Sequence, residues 1–434
     1  MDNNRPLNDA LLGKKLDLLL FTGKLLMQCS ADSNRIDRNL RRAAASMGIP
    51  ADKFNMHINF TTLIINISEG GESVTKLIKI RQHAVNMRVL SAISKMTWRA
   101  VLQEYTLDQY EDEIQEISKM KTIYPRPVIV VAAAAACASF ATLFSCDLPA
   151  AGITFITVAI AIFLRQELQK RHLNHYMVTA IVAFVATTIS GLLGHLELSS
   201  TPLQAIAASV LFLIPGIPLI NSVDDMIDGY TIVGVTRGVN AAILIGSIAF
   251  GMVIALWLTG YLNNIGAATA YQSHWAQLII SAALAATGFA VIFNVPYRAL
   301  PFCALCGVLA IAIRNSILNY TEIGLVFATF LAAVAVGIAA IYLVHKVHAP
   351  MEIITIAPVI PLVPGMLMYK TMIGLINTNS YTAEQVQLLL NTFNNGITAF
   401  LTMFAISLGI AIPTIFSRRY LSKKDIEFRR KYSK

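Results

Sequence analysis

The order of apolar and polar positions divides the chain into two dissimilar parts. Up to about residue 126, apolar residues recur at helical or alternating spacing, as in a globular domain. From Val128 onward, apolar runs of roughly 15–22 residues follow one another with short polar breaks, and such runs are long enough to cross a hydrocarbon core of about 30 Å. The pattern predicts an α-helical polytopic membrane protein with a small N-terminal α+β domain.

The first part contains signals for both helices and strands. An amphipathic helix over residues 7–29 is followed by an arginine-rich helix that stops at Gly48. The β-branched run 54–68, a Glu-Gly-Gly-Glu turn and a second short run then predict a hairpin. Two more helices, near residues 85–103 and 107–120, complete the predicted domain.

This domain carries no catalytic signature. The patterns GxSxG, HExxH, GxGxxG and Walker A do not occur in it. The pair Cys29-Ser30 and the single histidines His57 and His83 are more typical of core or surface positions than of a nucleophile or a metal site. We therefore expect no catalytic residue, no metal and no cofactor. A membrane-anchored enzyme or sensor that acts through this domain stays open as an alternative.

About ten transmembrane helices are predicted after the soluble domain. The connections on the N-terminal side carry Lys and Arg, whereas the first three connections on the other side carry none. Because basic residues concentrate in cytoplasmic loops, both termini are expected in the cytoplasm. Arg314 and Lys370 are counted in the last two outer connections. The predicted spans cover residues 128–145, 150–164, 176–194, 203–220, 239–259, 275–294, 299–313, 323–343, 353–370 and 396–416.

Composition and charge narrow the class of protein further. Apolar residues make up 56% of the chain and charged residues only 14%, which is too few charges to cover one soluble core. Much of the net charge of +9 lies in the last residues, 418–434, where a basic tail after an apolar span is typical of a cytoplasmic anchor. No nucleic-acid-binding module accompanies the tail, so the expected partner is the lipid bilayer and not nucleic acid.

Two landmarks recur in the apolar part at a single spacing. Arg165 and Arg314 each end an Ala-Ile-rich run, and they are 149 residues apart. The Pro-Gly pairs at 215–216 and 364–365 are also 149 residues apart. The implied repeat has five helices, an odd number, so the second copy is predicted to enter the membrane upside down. The predicted divisions are the soluble domain 1–126, the repeats 127–260 and 275–417, and the tail 418–434.

Inverted repeats are typical of secondary transporters, so the paired Pro-Gly breaks mark the predicted transport site. Proline and glycine interrupt a helix, and backbone groups freed in a membrane are tolerated only beside protein or a water-filled cavity. An amino-acid zwitterion would use backbone N–H groups for its carboxylate and an aspartate for its ammonium, and a carboxylate there can also carry a proton. The candidate substrate-binding residues are Pro215, Gly216, Asn221, Ser222, Pro364, Gly365, Tyr369 and Thr371, and the candidate proton-coupling residues are Asp224, Asp225 and Asp228.

Each polar candidate also has an ordinary structural explanation. The three aspartates can equally form a solvated loop or helix cap just past a span. Lys370 suits an interface anchor that snorkels, and Glu352 suits the first turn of a helix, where a carboxylate favours the dipole. The remaining groups, which suit span ends or helix contacts, are His195, His345, His348, Cys303 and Cys306.

Three blocks of sequence carry a family resemblance. They are GKLLMQCSADSNRIDRNLRRAAASMGI (23–49), PGIPLINSVDDMIDGYTIVGVTRG (215–238) and PLVPGMLMYKTM (361–372). In this order and spacing they resemble the threonine/serine exporter family over nearly the whole chain. The chain departs from the family pattern at Val223-Asp224, where a basic residue is expected before the aspartate. By motif match, the resemblance implies roles for Pro215, Gly216, Asp225, Gly229, Pro364, Gly365 and Tyr369.

The resemblance implies export of threonine and serine, driven by the proton-motive force, from the bacterial cytoplasm across the inner membrane. The leading prediction is therefore a proton-coupled exporter of small neutral amino acids that works by alternating access between two inverted repeats. Some relatives of the family are split into two chains and resemble succinate exporters, so a dicarboxylate exporter stays open. A channel and a homo-oligomer stay open as well.

Overall fold

The chain folds into two compact units in the computed structural model. The first unit contains Met1–Ile123, Asn221–Gly238 and Phe293–Pro296, and the second contains the rest of the chain. The first unit thus joins the N-terminal domain to two short segments that lie between apolar helices in the sequence. The described residues are 5–69, 72–81, 83–171, 173–261, 274–347, 351–376 and 383–432, without the side chains of 5–10, 69, 72, 344–347, 352, 369, 376, 383–385 and 414–432.

Four helices form the helical part of the N-terminal domain. The carboxylate of Asp32 caps the second helix, because it accepts a hydrogen bond from Arg35 N at 2.8 Å. That helix is followed by Gly48 with a φ of +74°, a conformation that favours glycine. Thr106 and Gln109 form a capping box at the start of the fourth helix. The helices are α1 (Arg5–Gln28), α2 (Ser33–Ser46), α3 (Met87–Leu102) and α4 (Leu107–Ser118).

A three-stranded antiparallel sheet completes this domain, in the order β1-β2-β3. The strands are β1 (Phe54–Ile58), β2 (Thr62–Glu69) and β3 (Glu72–Lys79). The predicted hairpin corresponds to β2 and β3, but the prediction of one strand over 54–68 is wrong. Asn59 interrupts that run, because its side chain accepts a hydrogen bond from Phe60 N at 2.7 Å and its own N–H donates to Thr62 O at 2.8 Å.

The core of the N-terminal domain lies between the sheet and one face of each packed helix. Leu16, Leu40, Ile65 and Ile93 come from four different elements and have no exposed surface. Full burial of such a side chain contributes about 1.5–3 kcal/mol. The apolar stripe and the alternation seen in the sequence are therefore the features that build this core.

The remaining elements are helices, most of them apolar enough to lie in a membrane. Eight helices of the described chain are long and apolar enough to cross a membrane, or ten spans result if each of two bent helix pairs counts as one. The prediction of a polytopic helical protein with a small N-terminal α+β domain is confirmed. The helices are α5 (Arg126–Leu143), α6 (Leu148–Lys170), α7 (His175–Gly194), α8 (Pro202–Ala208), α9 (Gly216–Ile227), α10 (Thr231–Leu258), α11 (Trp275–Ile292), α12 (Leu300–Tyr320), α13 (Leu325–Val347), α14 (Met351–Val359), α15 (Gly365–Ile376) and α16 (Ala383–Tyr432).

Two of the predicted spans are not single straight helices. The span predicted over 203–220 consists of α8, a 3-10 turn and the start of α9, and the chain bends by 60° between the turn and α9. The span predicted over 353–370 likewise contains α14, a 3-10 turn and part of α15, with a bend of 52°. Both bends occur at a Pro-Gly pair, because proline lacks the N–H that would continue the helix.

Two basic residues that the sequence assigned to outer connections lie inside helices. Arg314 is in α12 and Lys370 is in α15. The predicted spans ended at residue 313 and residue 370, whereas α12 continues to Tyr320 and α15 to Ile376. The polar residues after Arg314 still form helix, because backbone hydrogen bonding continues past the apolar segment.

The order of elements repeats along the membrane part. The starts of α5 and α11, of α8 and α14, and of α9 and α15 are each separated by 149 residues, as are the two 3-10 turns at 211–213 and 360–362. A side-chain contact recurs with a shift of one residue: Thr154 donates to Ala205 O, and Cys303, which lies 149 residues after Thr154, donates to Ile353 O, the residue before the counterpart of Ala205. The halves α5–α10 and α11–α16 therefore share one plan of helices.

Candidate functional site

Both Pro-Gly pairs lie at the bend between two helices. Ile214 and Val363, the residues before the two prolines, have extended backbones with ψ of 127° and 128°. The residue before a proline prefers this conformation, because the proline ring clashes with a helical one. Both Pro-Gly pairs are buried. The chain therefore changes direction within the apolar part at the two positions that the sequence singled out.

The two bends contact each other through their glycines. A Cβ atom at Gly216 would lie 2.9 Å from Ile360 Cδ1, and a Cβ atom at Gly365 would lie 2.5 Å from Ile214 Cδ1. The next neighbours are Val363 for Gly216, at 3.8 Å, and Leu211 for Gly365, at 3.0 Å. Ile360 and Val363 are the counterparts of Leu211 and Ile214 in the other half. Gly216 therefore contacts Ile360 and Val363, and Gly365 contacts their counterparts Leu211 and Ile214. The two sets of contacts are related as around a two-fold axis.

A tight corner joins α9 to α10. Gly229 closes it with a φ of +89°, and Tyr230 N donates to Asp225 O at 2.7 Å. Ser222 Oγ donates to Gly234 O at 2.7 Å, so the two helices are also bonded across the corner. A Cβ atom at Gly234 would lie 2.6 Å from Ser222 O, which is why the helices approach so closely there.

A buried ion pair lies on this corner. Asp225 Oδ2 and Arg237 Nε are 2.9 Å apart, and the two side chains are only 1% and 8% exposed. Two charges in a buried place are stable only when each has a partner, because removal of one leaves the other without water or counter-charge. The pair therefore links α9 to α10 and makes each residue dependent on the other.

The loop between α1 and α2 binds the same corner. Ser33 N donates to Asp225 Oδ1 at 2.8 Å, Arg237 Nη2 donates to Ala31 O at 2.8 Å, and Asn221 Nδ2 donates to Ser30 O at 2.8 Å. We call residues 30–33 the docking loop. It uses backbone groups for three hydrogen bonds to side chains that lie 191 to 206 residues later in the chain.

The docking loop carries a negative charge at Asp32. Burial alone would raise the pKa of Asp32, but the guanidinium groups of Arg35 and Arg38 outweigh burial and hold that pKa below its ordinary value. Asp32 is therefore a carboxylate at neutral pH, and its negative charge lies at the N-terminus of α2. Beside the loop, burial raises the pKa of the Cys29 thiol to about 12, so Cys29 is not a thiolate nucleophile.

The three predicted proton-coupling aspartates have different surroundings. Asp225 is buried in the ion pair. Asp224 is half-buried, and Asp228 is exposed and accepts a hydrogen bond from Asn34 Nδ2 in α2. All three lie in or just after α9, and two of them contact the N-terminal domain.

The described residues that α15 and α16 turn toward each other are mainly apolar by comparison. Thr371 Oγ1 donates to Leu367 O of its own helix at 2.8 Å. A cavity of about 310 Å³ lies between the two helices, and Thr371 and Thr392 are the polar residues among its mainly apolar lining. Tyr369 is in α15, but its side chain, like that of Glu352, lies outside the described residues. The side chain of His345 and all of His348 are outside them too.

Sequence reasoning missed two features of the site. Arg237 was not among the candidate residues, although it lies twelve residues after Asp225 inside the second motif block. The docking loop gave no signal, because it contributes backbone groups that any sequence has. His195 and Cys303 have structural contacts: His195 Nε2 is 2.8 Å from Thr259 O, and Cys303 Sγ is 3.4 Å from Ile353 O. Among the described residues, no cluster of three metal-ligating side chains occurs.

Comparisons with known proteins give the chain a family. Residues 17–259 match the family model described as "Putative threonine/serine exporter", and residues 278–416 match the model described as "Threonine/Serine exporter, ThrE". The two models together cover both halves and most of the N-terminal domain. No solved structure matches the chain.

Curated relatives match mainly the first half. The "Probable succinate transporter subunit YjjP" of Escherichia coli is 33% identical over 245 residues, which is 56% of this chain and 94% of the relative. The protein of the same name from Klebsiella aerogenes is 32% identical over 54% of this chain and 90% of its own length. An "Uncharacterized protein" of Haemophilus influenzae is 33% identical over 32% of this chain and 47% of its own length. With both family models matched in order, this chain belongs to the threonine/serine exporter family.

Proposed function

We propose that this chain is a secondary transporter that exports a small polar metabolite, with threonine and serine as the leading substrates. The observation that carries the proposal is the contact of two broken helices through Gly216 and Gly365. Matching breaks in two halves of a membrane protein are where secondary transporters bind substrate and coupling ion. Backbone groups freed at the breaks supply the hydrogen bonds that a polar metabolite needs.

An inverted relation of the two halves supports alternating access. The N-terminal domain, the α9–α10 corner and the α11–α12 connection belong to one unit, in which Asn294 bonds to Asn86 and Ile123. If each bent pair is one span, four spans separate the domain from the corner, and two more separate the corner from that connection. A chain returns to the same membrane face only after an even number of spans, so both counts are compatible with the three parts of this unit lying on one face. Each half then has five spans, an odd number, which supports the proposal that the second half is upside down.

The substrate is the finer part of the proposal. The family description names threonine and serine, and it motivates them as first candidates. Succinate is the second candidate, since it is named for the two YjjP relatives. One observation favours it: an ammonium group needs an acceptor, and Asp225 and Asp228 already bind Arg237 and Asn34. A dicarboxylate needs donors alone.

We also propose Asp225 as the residue that couples transport to protons. Protonation would remove its charge from the pair with Arg237 and weaken the bond from Ser33 N. The docking loop would then release the corner, which links proton binding to movement of α9 and α10. Asp224 and Asp228 are weaker candidates, because they are half-buried and exposed.

The proposed location is the inner membrane of a bacterium, with both termini in the cytoplasm. Basic residues in the connections on the N-terminal side support this orientation. The even number of spans, ten if each bent pair is one, supports termini on the same side.

Counterflow in proteoliposomes tests the proposed function. Purified protein is reconstituted with unlabelled threonine inside, and labelled threonine, serine or succinate is added outside in parallel, with matched internal succinate for the last. We expect transient accumulation of threonine and serine. Accumulation of succinate alone would support the carrier function and would identify succinate, and not threonine or serine, as the substrate. Asp225→Asn is expected to abolish the pH dependence of transport, with Asp52→Asn, at an exposed position of the N-terminal domain, as the control.

Absence of counterflow for all three compounds by folded protein would contradict the carrier. A membrane-anchored enzyme or sensor would then be the better hypothesis. The N-terminal domain would be the part to assay for enzymatic activity or ligand binding. Single-channel currents would instead indicate a channel.

A further inference from the structure

Arg314 is a cation in the membrane part whose charge is not neutralised by a described carboxylate. Its Nη1 donates to Pro361 O at 3.4 Å, and its Nε is buried without a hydrogen-bond partner among the described residues. Arg237, by contrast, has Asp225 at 2.9 Å. An unneutralised guanidinium in an apolar helix is costly and marks an ion or substrate pathway in membrane proteins.

The position of Arg314 relates it to the second helix break. Pro361 belongs to the 3-10 turn at 360–362, which directly precedes the bend at Val363. This turn lies near the middle of the bent pair that runs from α14 to α15, and therefore near the middle of a span if the pair crosses the membrane. A guanidinium that reaches this turn lies beside the backbone that the break exposes.

We propose that Arg314 binds a carboxylate group of the transported substrate, an inference that rests on the proposed carrier function. A guanidinium offers two parallel N–H groups to a carboxylate, and the fit is stronger than for a neutral donor. Threonine, serine and succinate all carry this group. Arg165 lies 149 residues earlier in α6 and is its counterpart in the first half. In an inverted repeat, Arg165 would bind the substrate carboxylate when the transporter is open to the opposite side of the membrane.

A binding assay on the detergent-solubilised full chain tests this proposal separately from transport. Labelled threonine, serine and succinate are bound to wild type, Arg314→Gln, Arg314→Lys and Arg298→Gln, and threoninol, which lacks the carboxylate, is used as competitor. We expect Arg314→Gln to weaken binding of the carboxylates by about tenfold to a hundredfold, and to lose the preference for threonine over threoninol. Arg298 is exposed in the 3-10 turn just before the same helix, so Arg298→Gln is expected to bind like wild type.

The outcomes separate this inference from the carrier. Wild-type affinity and an unchanged preference in Arg314→Gln would overturn the role of Arg314, while counterflow by wild type would keep the transporter. Loss of binding in Arg314→Gln together with no counterflow by wild type would keep the carboxylate site and overturn the transporter. If Arg314→Gln fails to fold, Arg314→Lys decides: the charge remains but the paired donors are lost, so unchanged affinity contradicts the proposal. Folded wild type that binds none of the three compounds contradicts it as well.

Discussion

Residue 225 of the first half and residue 374 of the second half are counterparts, but one is a buried aspartate and the other a glycine. Their neighbours differ in the same way. The α9–α10 corner contains an ion pair and three bonds to the docking loop, whereas the α15–α16 corner packs Gly374 against Thr392 beside an apolar cavity. The shared helix plan with different side chains separates two requirements. Both breaks serve the contact of the halves, whereas, among the described residues of the two corners, only those of the first bond to the N-terminal domain.

The largest effect should follow from breaking the ion pair. Arg237→Gln leaves Asp225 buried without a counter-charge, so we expect the free energy of unfolding of the full chain to fall by about 3–5 kcal/mol. Asp225→Asn combined with Arg237→Gln should recover part of the loss. Arg41→Gln is the matched control, because its pair with Asp37 is exposed and should be worth less than about 1 kcal/mol. Equal losses of unfolding free energy in Arg237→Gln and Arg41→Gln would mean that the buried ion pair contributes no more than the exposed one, which contradicts this prediction.

The next largest effect should follow from alanine substitutions at the glycines of the two helix breaks, which both halves have. Gly365→Ala places a Cβ atom 2.5 Å from Ile214 Cδ1, and Gly216→Ala places one 2.9 Å from Ile360 Cδ1. We expect each to cost about 1–3 kcal/mol, with the larger loss for Gly365→Ala. Ile214→Val should rescue Gly365→Ala, and Ile360→Val should rescue Gly216→Ala, because valine lacks the Cδ1 atom. Thermal unfolding and counterflow measure both. Rescue that works equally well when the valines are exchanged would argue against the reciprocal contact.

A smaller difference is expected between the counterpart hydroxyls. Ser222 bonds across its corner to Gly234 O, whereas Thr371 bonds within its own helix to Leu367 O. Ser222→Ala should therefore cost about 0.5–1.5 kcal/mol, and Thr371→Val should cost less. Hydrogen exchange of the α9–α10 and α15–α16 peptides reports each corner separately. A larger change in the second corner would contradict this assignment.

Acidification should weaken the first unit through His83. Burial lowers the pKa of His83, and the carbonyl of Met27, which faces Nδ1 at 2.9 Å, offsets this only in part. Its Nε2 is buried with no hydrogen-bond partner in the part of the chain that the structure describes, so a second proton there finds no acceptor among those residues. Because the folded state has the lower pKa, stability is fully present above about pH 6.5, the ordinary histidine value, and is lost as the pH falls below it.

Thermal unfolding of the full chain from pH 8 to pH 5 measures the effect of His83. We expect His83→Gln to flatten the pH dependence of the unfolding midpoint. His57, which is exposed on β1, gives the control variant His57→Gln, which should behave like wild type. A pH dependence that His83→Gln leaves unchanged would assign the loss to other groups.

The sequence by itself determined the class of the protein, the two Pro-Gly breaks, their spacing and the family, since apolar runs, prolines and glycines act through local backbone chemistry. It also located Asp225, because an aspartate near an apolar span is conspicuous. Only the tertiary structure decided that Gly216 and Gly365 contact each other's flanking residues, that Arg237 is the partner of Asp225, and that residues 30–33 bind the corner. Apart from the pair Asp225–Arg237, which joins two neighbouring helices, these contacts join positions far apart in the chain, and several use backbone N–H and C=O groups. Such groups are the same at nearly every residue, so no pattern of side chains reveals where they bond.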